Sequence, residues 1–139
     1  VQGLAEYGFE LKLIDKDIAP NDLDAWQAHM TDDVAVAVIT HVHSNSGELS
    51  DIVEISKLCR AKQVPVVVDI AQSAGVIPID LQDWQADVVL GSCVKWLCGG
   101  PGAAFMWVNP TRLDDLQPKN IGWFSHENPF TVKICRELC

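Results

Sequence analysis

Three short apolar runs, Val34–Thr40, Val64–Ile70 and Asp87–Gly91, constrain this chain more than any other part of its sequence. Each is rich in β-branched residues and too short for a buried helix. Each is also too continuously apolar for a strand with one wet face, so all three are expected as strands of a sheet covered on both faces. Longer stretches with helical spacing lie between them. Pro20–Met30 places Leu23, Trp26 and Met30 on one face and opens on Asn21-Asp22, which suits a helix N-terminus. Leu49–Lys62 repeats Ile52, Ile55, Leu58 and Cys59 at helical spacing, with Ser50-Asp51 as a cap. Phe9–Ile14 and Ala103–Val108 read as further strands, the latter closed by Asn109-Pro110, and a short helix is expected around Lys95-Trp96-Leu97. This alternation predicts an α/β fold, a mainly parallel sheet flanked by helices. No repeat or low-complexity linker divides the chain, and Thr131–Cys139 is left without a place in it.

At 139 residues the chain is long enough for one domain of about 100 to 150 residues, or for a piece of a larger one. No window approaches the roughly 18 consecutive apolar residues of a membrane span. Val1-Gln2-Gly3-Leu4 carries no signal-peptide pattern, and without an initiator Met the true N-terminus is expected to lie upstream. A net charge of -9 argues against nucleic acid or an anionic membrane as the main partner, because those surfaces select clustered Lys and Arg. Five cysteines without a CxxC pair favour reduced thiols and a cytoplasmic setting. The four histidines do not pair with those cysteines at metal-ligand spacing, so no metal site is expected.

In a doubly wound sheet, ligands bind beyond the carboxyl ends of the strands. Asp69, Ser92 and His41–Gly47 all fall at such ends. A carboxylate there can hold a protonated ring nitrogen, or it can simply cap a turn. One strand later stands Lys95, between Val94 and Trp96-Leu97 and ahead of the loop Gly99-Gly100-Pro101-Gly102. Apolar neighbours would desolvate its amine and leave it nucleophilic, suited to hold an aldehyde cofactor as a Schiff base. Ser92 is either a phosphate donor or a local turn former. His41 and His43 flank Val42, so on a strand they would share one face, either with one of them stacked over a flat ring or both as ordinary polar residues at a strand end. Trp123 is an apolar anchor or an indole donor.

Taken together, the blocks Thr40–Gly47, Asp69–Gly75, Lys95 with Gly99–Gly102, and Gly122-Trp123-Phe124-Ser125-His126 resemble the fold-type I pyridoxal phosphate enzymes of the class V aminotransferase group. Within that group the kynureninases are most similar. The resemblance implies that Lys95 is the catalytic, cofactor-bearing residue and that Asp69 pairs with the pyridine nitrogen. It further implies that Gln72 lies beside the pyridoxal ring and that Trp123 lies near the phosphate or the substrate; His43 and Ser92 are added as cofactor-binding candidates from their places at the strand ends. It implies a small amino-acid substrate and a homodimer.

Two positions depart from the kynureninase pattern. Val94 stands where a Tyr usually precedes the lysine, and Gln72 stands where His is usual. Gln at that position looks more like the cysteine desulfurases. Three readings follow: hydrolytic cleavage of a β-carbon side chain (kynurenine to anthranilate and alanine), a desulfurase or aminotransferase-like reaction, and a non-catalytic α/β module. The family's upstream phosphate loop and downstream carboxylate-binding Arg match no motif here. The chain is therefore expected to be a fragment of a cofactor-binding large domain, matching over residues 1–130 and inactive alone.

Overall fold

The computed structural model describes residues 2–116 together with Asn120, Gly122 and Ser125. Its centre is a four-stranded sheet in the order β1 (Ala37–Thr40), β2 (Val66–Asp69), β3 (Val88–Ser92), β4 (Ala104–Val108). β1, β2 and β3 run parallel, with Thr40 opposite Asp69 and Asp69 opposite Leu90. β4 returns antiparallel to β3, with Ser92 opposite Ala104. A chain that reverses within the eleven residues between β3 and β4 has no room for a crossover helix, so antiparallel pairing is the available geometry.

Helix α1 (Leu23–His29) is capped by Asp22, whose carboxylate accepts from the Ala25 N–H at 2.9 Å. Helix α2 (Ile52–Ala61) is capped by Asp51, which accepts from the Glu54 N–H. These caps are where the sequence places them. A four-residue helix α3 (Leu81–Trp84) was not anticipated. It is capped by Asp80, which accepts from the Gln82 and Asp83 N–H groups. Short 3-10 segments, Gln2–Tyr7 and Pro110–Asp115, begin and close the described chain.

The core lies on one side of the sheet. Ala37 and Ile39 of β1, Val66 and Val68 of β2 and Val89 of β3 meet Ile52, Ile55 and Cys59 of α2 and Trp84 of α3, all buried. Burial holds the Cys59 thiol up at about 11, so it behaves as a small apolar residue there. Cover on both faces is not found among the described residues. On the opposite face Val38 is 46% exposed, Leu90 36% and Met106 66%. The continuous apolar runs reported sheet positions correctly but could not report which segments cover each face.

Phe9–Ile14 forms no strand. Lys12 ties this stretch to Asp33 at 2.7 Å and to Thr31, while Phe9, Leu11 and Leu13 stay exposed. An alternating pattern needs a neighbouring backbone to become a strand, and here none of the four strands pairs with it.

Candidate active site

Because β1, β2 and β3 are parallel, their carboxyl ends come to one edge, and the following residues form the site. The His41 N–H donates to the Asp69 carbonyl at 2.9 Å, and the Ile70 N–H to the Leu90 carbonyl at 2.8 Å. The ladder thus continues just past the strands and carries His41–His43, Asp69–Gln72 and Ser92–Lys95 to the same rim.

Asp69 is partly buried, with one carboxylate oxygen, Oδ1, accepting from the Ala71 N–H at 2.8 Å. A single backbone bond leaves Oδ2 able to accept from a protonated ring nitrogen. Ser92 Oγ accepts from the Val94 N–H at 3.3 Å and keeps its own hydrogen for an acceptor beyond the strand end. It is therefore a turn former whose donor remains available.

His43 and Gln72 meet in one cavity of about 300 Å³, lined also by Val42, Val76, Ile77 and Trp96. Its apolar walls with a few convergent polar groups suit a flat heteroaromatic ring, so His43 and Gln72 fit beside a pyridoxal ring, while Asp69, Ser92 and Lys95 do not line this cavity. Trp96 brings the Lys95 loop to this cavity's wall. Asn21, His41, Ser50, Asp51 and Trp84 help line a separate cavity of about 340 Å³ that contains none of Asp69, Gln72, Ser92 or Lys95.

The two histidines part company, contrary to the shared face expected of them. β1 ends at Thr40, so the strand alternation does not extend over His41-Val42-His43. His41 turns into the core, 4% exposed, with its ring edge-on to Trp84 at a centroid distance of 4.6 Å. Its Nδ1 lies 2.8 Å from Ser73 Oγ, whose hydrogen goes to the Ile70 carbonyl. Similarly, the Ser50 hydroxyl donates to the Thr40 carbonyl at 2.7 Å, so His43 Nε2–H donates to Ser50 Oγ at 3.3 Å.

Burial pushes the His41 imidazole below its ordinary 6.5. The unfolded chain takes up this proton near 6.5 while the folded protein does not. The stability His41 contributes is thus full above 6.5 and lost as pH falls toward the lowered folded value, by at most about 1.4 kcal/mol per pH unit. Urea midpoints measured across this range are expected to fall with pH, and His41→Gln is expected to flatten that slope.

The Lys95 loop is a series of turns rather than the short helix expected. Its ends are pinched by the Gly99 N–H donating to the Cys93 carbonyl at 2.7 Å. Lys95 is exposed, as are Val94, Trp96 (60%) and Leu97. The enclosure expected from its apolar neighbours is absent among the described residues: Val94, Trp96 and Leu97 are themselves exposed, and Trp96 and Leu97 meet the turn after Asp69 rather than covering the amine. Trp123 lies outside the described residues. Two residues of the site carried no earlier role, Val76 and Ile77. Their signal was their place directly after the Asp69–Gly75 block.

A family model described as aminotransferase class-V matches residues 2–132. Kynureninase from Pseudomonas fluorescens is 36% identical over 99% of this chain and 35% of its own length. The uncharacterized aminotransferase YcbU of Bacillus subtilis (strain 168) is 36% identical over 84% of this chain and 32% of its own. Among solved structures, the apo cysteine desulfurase from Thermococcus onnurineus NA1 superposes with a TM-score of 0.76 at 27% identity, covering 87% of this chain and 30% of that one. A C-DES mutant with glycine covalently linked to its PLP cofactor has a TM-score of 0.69 at 26% identity, over 74% of this chain and 28% of that one. The chain spans about a third of the length of the relatives it matches.

Proposed function

Since the chain belongs to the aminotransferase class-V family, whose cofactor is pyridoxal phosphate, we propose that the full-length protein is a kynureninase-like hydrolase. It would convert kynurenine and water to anthranilate and alanine, a step of tryptophan catabolism, as a cytoplasmic homodimer. Residues 1–139 would form part of its large, cofactor-binding domain. The observation that carries this reading is the identity with kynureninase across 99% of the chain. The coarser statement, a class V pyridoxal phosphate enzyme acting on an amino acid, stands on the family itself. Among the described residues no helix is long and apolar enough to cross a membrane.

Bound pyridoxal phosphate supplies an aldehyde for the substrate amine and a ring that delocalises the electrons left at the α-carbon. In this reading Lys95 Nζ would hold the cofactor covalently and would move the α-proton. Asp69 Oδ2 would accept from the protonated ring nitrogen. His43 and Gln72 would lie beside the ring, and Ser92 Oγ–H would be available as a donor to a phosphate oxygen. Trp123 is assigned to the phosphate or the substrate on resemblance alone. Val94, lacking a phenol, can do none of the proton transfer that a Tyr would do there.

A second reading is favoured by Gln72 and by the likeness to a cysteine desulfurase fold. Assaying the full-length protein for alanine release from kynurenine against sulfide release from cysteine separates the two. Sulfide without any hydrolysis of kynurenine would overturn the first. Asp69→Asn removes one charge-assisted hydrogen bond of about 1.5 to 3 kcal/mol, so turnover is expected to fall about 10- to 100-fold with cofactor still bound. Near-normal turnover would remove Asp69 from its assigned role.

A further inference from the structure

Lys95 is exposed on a loop, and its amine makes no hydrogen bond among the described residues, so something other than its own contacts must set its place. We propose that Gly75 is a positioning residue for Lys95. Its missing β-carbon lets the Trp96-Leu97 backbone seat on the turn that follows Asp69, which fixes the approach of the Lys95 loop to that turn.

Gly75 has a φ of +93°, and a β-carbon there would lie 3.0 Å from Leu97 Cδ2, 3.3 Å from the Trp96 carbonyl carbon and 3.4 Å from the Leu97 nitrogen. A rotamer change can clear Leu97 Cδ2 but not the tight backbone contact at the Trp96 carbonyl carbon, which must give by a few tenths of an ångström, while the Leu97 nitrogen sits at ordinary contact distance. The turn that bears Gly75 is the less mobile partner. Its Ser73 and Ala74 N–H groups both donate to the Ile70 carbonyl, at 3.0 and 2.8 Å, and Ser73 is fully buried against His41. The loop is the partner that must yield.

Widening the loop at its base would break the 2.7 Å hydrogen bond from the Gly99 N–H to the Cys93 carbonyl. A methyl group at position 75 therefore displaces Trp96 and Leu97 as a unit, by a few tenths of an ångström, and carries the adjacent Lys95 with them. Reactions that depend on an aligned nucleophile are sensitive to such shifts.

This inference rests on the reading of Lys95 as the cofactor lysine, and the experiment separates the two. Full-length protein is mixed with pyridoxal phosphate, reduced with borohydride at timed intervals to make the lysine–cofactor link permanent, and the Lys95 peptide is quantified by mass. Gly75→Ala is expected to capture the cofactor at Lys95 about tenfold more slowly than wild type. Gly8→Ala imposes the same left-handed backbone, φ +84°, with no atom within 4 Å of the new carbon, and is expected to capture at the wild-type rate. Leu97→Ala removes an exposed side chain from the other half of the contact and is expected to slow capture several-fold even if Gly75→Ala does not fold. No capture at Lys95 in the wild type would overturn the cofactor reading. Wild-type capture unchanged in Leu97→Ala, and in Gly75→Ala where it folds, would overturn the positioning role alone.

Discussion

Lys95→Ala in the full-length protein is expected to abolish the visible absorption band of covalently held pyridoxal phosphate and to lower turnover by about 10²- to 10⁴-fold. The reason is double use of one atom. Nζ is assigned both the covalent hold on the cofactor and the movement of the α-proton, and among the described residues Lys57 and Lys62 belong to α2 and its cap while Lys12 pairs with Asp33, away from the strand-end rim. Because Lys95 is exposed on its loop, the substitution leaves the core untouched, and the melting temperature of the cofactor-free protein should stay near that of wild type. An undiminished absorption band in the variant would remove Lys95 from the site.

Ile55→Ala has the opposite signature, a loss of stability without a direct effect on chemistry. Ile55 is fully buried on α2 and belongs to the core that joins this helix to the sheet. Truncation leaves a cavity between rigid elements, so a loss of about 2 to 5 kcal/mol is expected from urea unfolding. The neighbouring Ser56 gives a contrast within the same helix. Its hydroxyl is buried without a hydrogen-bond partner among the described residues, so Ile55 supplies the packing while Ser56 carries an uncompensated polar group. A loss below about 1 kcal/mol for Ile55→Ala would mean that α2 is not packed against the sheet as described.

β1 and β2 were legible because a β-branched run of four to seven residues leaves few alternatives, and β3 and β4 also lie within or beside the short apolar stretches expected. Helices α1 and α2 were legible from their periodicity and from Asp22 and Asp51, whose carboxylates act through local spacing. Helix α3 escaped because four residues carry too little period to read. Phe9–Ile14 misled because alternation states only that a strand could form, not that a partner backbone lies alongside. The site was legible where it depended on order along the chain: Asp69 and Ser92 do fall at strand ends, and His43 and Gln72 do meet in a cavity. It was not legible where orientation mattered, as at His41.

By itself the sequence determined where β1 to β4, α1 and α2 lie, and which residue types stand at the strand ends. Those properties are local, set by side-chain shape, period and short-range capping. Only the tertiary structure decided that β4 runs antiparallel, that the described helices bury one face of the sheet, that His41 joins the core while His43 faces the cavity, and that Lys95 stands exposed on a loop seated against Gly75. Each depends on which distant segment arrives beside a given backbone, and periodicity along one element carries no information about the neighbour it will meet.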